Sequence, residues 1–208
     1  MKSIFSFFAF FAVMISANAQ AKITLLTFES FTFADQFDTE YGYGKIEDGF
    51  QWGAGLEFEI DPGTAVELIY QRLDSKLRYD GFDKTYTGDI AINYVLLGAT
   101  GYQPFNDVVS GFGTLDMGVG FTSNLEETLL QDSENQTRFA IGGRLGVRIA
   151  PVNSKLSVRL HAQILSPVQW FGGGFYFGTG GSGAGVSTGS TIWQFNLGGS
   201  VNYRFGGE

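Results

Sequence analysis

Apolar and polar residues alternate one by one over residues 191–205, TIWQFNLGGSVNYRF. Trp193, Phe195, Leu197, Val201, Tyr203 and Phe205 take the odd positions; Gln194, Asn196, Ser200, Asn202 and Arg204 take the even ones. A period of two is that of a β-strand with one apolar and one polar face. The same rhythm recurs upstream. Residues 50–60 set Phe50, Trp52, Ala54, Leu56, Phe58 and Ile60 against Gln51, Glu57 and Glu59. Residues 89–102 set Ile90, Ile92, Tyr94 and Leu96 against Asp89 and Asn93. Residues 109–121 set Leu115, Met117, Val119 and Phe121 against Thr114 and Asp116. Residues 138–149 set Phe139, Ile141, Leu145, Val147 and Ile149 against Arg138, Arg144 and Arg148. Residues 155–164 set Leu156, Val158, Leu160 and Ile164 against Lys155, Ser157, Arg159, His161 and Gln163.

Two segments are less regular. Residues 64–73 alternate through Val66, Leu68 and Tyr70 and lose phase near Arg72, as at a bulge or at the end of an apolar zone. Residues 23–33 are strand-like, with Leu26 and Phe28 assigned to the apolar face and Thr27 and Glu29 to the polar one. The total is eight strands. Their connections alternate: long at about 34–49, tight at 61–63, medium at about 74–84, short at 103–107, long at about 122–137, short at 151–154, long and glycine-rich at about 167–190. Both chain ends fall on the short-turn side. An antiparallel up-and-down barrel gives this record, with short turns on one rim and longer loops on the other.

Alternation does not say which face is inside, because a soluble barrel has an apolar interior. Four features assign the polar face to the lumen. Glycines recur on it (Gly53, Gly55, Gly118, Gly120, Gly142, Gly146, Gly198), where a solvated strand gains nothing from them. Its bases are arginines rather than lysines, which suits enclosed, bidentate pairing with carboxylates. Charges segregate by strand: Glu57, Glu59, Glu67, Asp89 and Asp116 on strands two to five, Arg138, Arg144, Arg148, Arg159 and Arg204 on strands six to eight. In a closed barrel these strands form opposed walls, so acids meet bases across the lumen. Aromatics sit near the ends of the apolar face, with Phe50, Trp52, Tyr86, Phe121, Phe139 and Trp193 toward the long-loop rim. Phe58, Tyr102, Tyr203 and Phe205 lie toward the other rim. Two such girdles flank the apolar band of a membrane barrel. The expected fold is therefore all-β: an eight-stranded transmembrane barrel with a polar, charge-paired interior.

Composition narrows the class further. Lys2, the apolar run 4–15 and the small residues Ala17 and Ala19 predict a secretory signal over residues 1–19, cleaved before Gln20, with the barrel domain over residues 20–208. Removing Lys2, the one charge in that segment, takes the formal charge from −8 to −9, which disfavours nucleic acid as a partner. There is no cysteine, hence no disulfide and no thiolate metal site. No later apolar run is long enough for a membrane helix, so insertion would use strands.

The signal segment, the eight alternating strands, the short and long connections and the polar interior resemble the small outer-membrane β-barrel family, which includes the transmembrane domain of outer-membrane protein A and outer-membrane protein X. The resemblance covers residues 20–205 and rests on architecture. It implies residence in the outer membrane of a Gram-negative cell, among outer-membrane lipids and lipopolysaccharide, and delivery by the barrel-insertion machinery. The last strand, with Tyr203 and Phe205, resembles the assembly signal of such proteins but departs from it by carrying Gly206, Gly207 and Glu208 after the final aromatic.

Chemistry is sparse. Some barrels of this size modify lipid A with a histidine, a serine and an acid. His161, the sole histidine, falls by period on the interior face between Arg159 and Gln163, and Ser157 and Ser166 complete no motif with it. The reading is a structural interior with no catalytic residues, cofactor or metal. The interior charges form a plug, since eight strands leave a lumen that side chains fill; a narrow gated pore is the competing reading. Acidic loop residues (Asp35, Asp38, Glu40, Glu47, Asp48; Glu126, Glu127, Asp132, Glu134) match no calcium-loop spacing and read as solvated surface. The uncharged loop 169–189 is a candidate surface for an extracellular partner. The expected function is a non-enzymatic envelope or surface role through the long loops, with a lipid A-modifying enzyme or a pore as alternatives.

Overall fold

The computed structural model describes residues 22–39, 42–81, 85–123, 137–168, 170–178, 181–189 and 193–206. The predicted signal segment and residues 124–136 lie outside these. The strands in chain order are β1 (Ile23–Thr32), β2 (Asp35–Thr39), β3 (Gly42–Ile46), β4 (Gly49–Asp61), β5 (Thr64–Gly81), β6 (Thr85–Pro104), β7 (Val109–Ser123), β8 (Thr137–Ile149), β9 (Leu156–Val168), β10 (Trp170–Gly178), β11 (Gly181–Gly189) and β12 (Gln194–Phe205). β1, β4, β5, β6, β7, β8, β9 and β12 each pair antiparallel with their neighbours in that order, and β12 returns to β1 to close an eight-stranded barrel. Closure leaves no edge in the barrel wall, the condition for a sheet to cross lipid.

Burial assigns the faces. On β7, Leu115 is 75% exposed and Asp116 3%; on β8, Leu145 is 72% exposed and Arg144 1%. Apolar side chains point out of the barrel and charged ones point in, the inverse of a water-soluble fold. The short turns 61–63 and 151–154 lie on one rim; Gly63 (φ 94°) occupies a left-handed conformation that suits glycine.

The long connections are more ordered than the sequence implies. β2 and β3 form a hairpin within the predicted first loop, and β3 pairs with β5 from Ile46↔Leu77 to Gly42↔Gly81. Instead of a medium loop at 74–84, β5 and β6 continue in unbroken register to Asp80↔Thr85. No bulge interrupts β5 at Arg72. The phase persists while the outward positions change from Val66, Leu68 and Tyr70 to Arg72, Asp74, Lys76 and Arg78, because the strand has left the apolar band. β10 and β11 pair as a separate two-stranded sheet within the predicted seventh loop.

Two strands face opposite to the sequence expectation. On β1, Leu26 and Phe28 point inward (0% and 2% exposed), while Glu29 lies outward opposite Trp52 and Gly199. Thr27 is also outward, and its hydroxyl donates to the Val201 carbonyl at 3.0 Å, meeting its polar need on the outer wall. On β6, Ile90, Ile92, Tyr94 and Leu96 point inward, while Val95 and Leu97 are the outward residues. β6 is apolar on both faces, so period cannot orient it. Its register to β5, with Tyr94 opposite Gln71 and Gly98 opposite Glu67, does. The lumen therefore holds an apolar layer of Leu26, Phe28, Ile46, Ile69, Leu73, Ile90, Ile92, Tyr94, Leu96 and Leu165 that the sequence reading did not foresee.

Candidate functional site: the lumen

The inward positions of β4, β5, β7, β8 and β9 build a charged cluster. Arg144 donates from Nε and Nη2 to the two oxygens of Asp116, at 3.1 and 3.0 Å, a bidentate pair between neighbouring strands. Its Nη2 also donates to Glu67 on the opposite wall. Arg159 donates from Nη1 to Glu67 at 2.9 Å and from Nη2 to Glu57. Tyr102 donates to Glu57 and accepts from Arg159. The Thr100 hydroxyl donates to Glu67 at 2.8 Å and lies 2.8 Å from the Thr114 hydroxyl. Three carboxylates and two guanidiniums are thus withdrawn from water as one unit. Removing either arginine would leave buried carboxylates short of a counter-charge.

A second layer is uncharged. Gln71 and Gln163 exchange hydrogen bonds at 3.3 and 3.2 Å, Gln51 donates to Gln71 at 3.3 Å, and Asn196 donates to Gln51 at 2.7 Å. Tyr94 donates to Gln194 at 2.7 Å. Phe28 sits between the layers, with the Arg144 guanidinium 5.0 Å from its ring centroid and the His161 ring edge-on at 6.0 Å.

Of the predicted interior charges, Glu57, Glu67, Asp116, Arg144 and Arg159 meet in this cluster. Arg148 and Arg204 point inward, half-buried near the short-turn rim, and Arg148 stands 5.2 Å from the Tyr102 ring centroid. Glu59 lies at the same rim, bridged to Lys22 at 3.4 Å. Arg138 is exposed at the far end of β8. Asp89 is not in the lumen: it is exposed on the outer side of β6 opposite Lys76, since the reversed facing of that strand carries it outward. His161 is buried on the interior face, and its Nε2 has no hydrogen-bond partner among the described residues. Among those residues no group of His, Asp and Glu is placed to hold a metal.

The outer aromatics are arranged as follows. Phe50, Trp52, Phe139 and Trp193 are exposed toward the long-loop rim, and Trp52 donates to Asp74 at 3.3 Å. Phe121 is half-buried on the outer face opposite Asn93. Tyr203 and Phe205 pack edge-to-face at 5.0 Å near the short-turn rim, and Phe58 lies half-buried opposite Val66. Tyr102 leaves the girdle for the lumen, for the same reason as Asp89. The Tyr86 side chain is outside those described. The sequence reading missed Phe31 and Phe33, which join Phe195 in an outward cluster at 5.3 and 5.5 Å. The uncharged layer follows the sequence expectation for Gln51, Gln163, Gln194 and Asn196, which the alternation puts on the luminal face; Gln71, on the less regular β5, is not singled out by it.

Several luminal glycines stand against the backbone of the neighbouring strand. A Cβ at Gly198 would run into Ser30 and the Glu29 carbonyl on the adjacent strand, so this glycine admits a close backbone approach in a tightly curved sheet rather than a side chain from the opposite wall. Gly98 does make room for the cluster, since a Cβ there would lie 2.7 Å from Asp116 Oδ1.

No family model matches the chain, and no curated protein matches it. Solved structures do. Neisserial surface protein A is similar over 88% of this chain and 97% of its own, at 14% identity and a TM-score of 0.57. The attachment invasion locus protein Ail of Yersinia pestis aligns over 89% of this chain and 99% of its own, at 12% identity and a TM-score of 0.42. Closed barrel, apolar outer band and charged lumen make the chain an integral β-barrel with the fold of the small outer-membrane proteins.

Proposed function

We propose that this outer-membrane barrel acts without catalysis or conduction, as a rigid mount that presents strand extensions at the cell surface. The observation that carries the reading is the pairing of β5 with β6 to Asp80↔Thr85, well past the last outward apolar residue, Tyr70. Beyond that point the outward side chains are Arg72, Asp74, Lys76, Arg78 and Asp80, with Arg72–Asp74 and Arg78–Asp80 ion pairs at 2.8 and 3.2 Å. β3 widens the projection. Such a sheet meets water and lipopolysaccharide headgroups, and its rigidity suits it to contact with an external partner. The lumen supports the same reading: the Glu57–Arg159–Glu67–Arg144–Asp116 cluster spans it from wall to wall, with an apolar layer besides.

The test compares cells carrying the intact protein with cells in which residues 75–88 are replaced by a short turn. The expected result is normal, heat-modifiable insertion with loss of surface contacts, unchanged lipid A mass spectra and no conductance steps in planar bilayers. Altered lipid A in the deletion strain, or discrete conductance from the purified barrel, would overturn it.

A further inference from the structure

The short-turn end of the lumen holds more hydrogen-bond donors than the described residues satisfy. Arg148 on β8 and Arg159 on β9 are direct cross-strand partners and both point inward. Like charges in that position repel. Arg159 is offset by Glu57 and Glu67. Arg148 takes part in none of the ion pairs among the described residues, and its guanidinium faces the Tyr102 ring instead. The Nε–H groups of both arginines are buried without an acceptor among those residues. On β12, the next strand, Ser200 lies opposite Arg159 and Asn202 opposite Ser157. The Ser200 hydroxyl, the Asn202 amide nitrogen and the Asn202 carbonyl oxygen are also buried without partners among the described residues, and Asn202 is 0% exposed.

These atoms occupy neighbouring inward positions on three consecutive strands. Four of them donate: two guanidinium Nε–H, one amide and one hydroxyl. Only Asn202 Oδ1 is a dedicated acceptor. A water cluster needs donors and acceptors in comparable number, whereas an oxyanion is matched by several donors with guanidinium forks among them. Arg148 and Arg204 are half-buried near the short-turn rim, which puts the site at that end of the lumen. Glu57 does not block it, because that carboxylate is engaged on the Nη2 side of Arg159.

We propose that Arg148, Arg159, Ser200 and Asn202 form a binding site for a phosphate-type oxyanion at the short-turn mouth of the barrel, with Arg204 at its entrance. The chemistry is shared by free inorganic phosphate and by the phosphodiester of an inner-leaflet phospholipid, and the test separates them.

The folded full-length barrel in an uncharged detergent is titrated with inorganic phosphate at constant ionic strength, and in a second arm with phosphatidylglycerol. The side-chain Nε–H NMR resonances of Arg148 and Arg159 are followed. A saturable shift in the first arm assigns the site to a free ion; a shift in the second arm alone assigns it to the lipid. In either case Arg148→Met and Asn202→Leu should each weaken the response about tenfold, the scale of one hydrogen bond to a charged group. Both variants should keep the heat-modifiable gel shift of the folded barrel. If neither arm gives a saturable shift, or if the shift persists undiminished in folded Arg148→Met, the site is overturned and the donors are hydrated by water.

Discussion

Glu67 on β5 accepts a hydrogen bond from Arg159 on β9 across the lumen at 2.9 Å, between residues 92 apart in sequence. The same carboxylate accepts from Arg144 on β8. One acid thus ties together three strands of opposed walls, and the cluster fixes which wall faces which.

Breaking that cluster at one point should be more damaging than simplifying it. Arg144→Leu leaves Asp116 and Glu67 short of a buried counter-charge and should cost about 3–5 kcal/mol. Adding Asp116→Leu removes one of the stranded charges and should restore part of the loss. Denaturant unfolding of the barrel in micelles, single against double variant, reads the difference directly.

The outward and inward rows of β12 should respond in opposite ways to polarity. Leu197 is 47% exposed on the outer face, and Leu197→Arg should cost about 2–4 kcal/mol in a bilayer if the position is near the midplane. Asn196→Ser, inside the lumen, removes one hydrogen bond to Gln51 and should cost about 1 kcal/mol. Folding yield by heat-modifiability gel should separate them; equal behaviour would contradict the facing.

β1 offers a sharper check, because its facing reverses the pattern read from the sequence. Glu29→Leu replaces an outward carboxylate with an apolar side chain and should stabilise the bilayer-inserted protein by up to about 2 kcal/mol. Leu26→Glu places an unpaired acid among the inward side chains and should abolish or strongly reduce folding. Urea midpoints in phospholipid vesicles give both signs.

Gly98 tests the packing of the charged cluster. Gly98→Val would put atoms onto Asp116 Oδ1 and should cost on the order of 1–3 kcal/mol through overpacking. Ala99→Val, one position along on the exposed outer face, should change stability by about 0.5 kcal/mol or less. Unfolding midpoints of the two variants provide the comparison.

The sequence by itself determined the number of barrel strands, their up-and-down order and the apolar-out sense of the barrel. It could do so because strands such as β7, β8, β9 and β12 have one apolar and one polar face, and a period of two survives without knowledge of neighbours. It also placed Glu57 and Glu67 across the lumen from Arg144 and Arg159, since strand order alone opposes those strands, whereas Asp116 meets Arg144 on the neighbouring strand rather than across the lumen. Only the tertiary structure decided the facing of β1 and β6. Leu26 with Phe28, and Ile90, Ile92, Tyr94 and Leu96, are apolar residues buried against other luminal side chains, and a strand apolar on both faces carries no phase. That reversal moved Asp89 out of the lumen and brought Tyr102 into it. The reach of β5 and β6 beyond the apolar band was likewise decided by pairing. Charged outward residues from Arg72 to Asp80 look like loop to a pattern reader but are held as strand by an unbroken ladder of backbone hydrogen bonds.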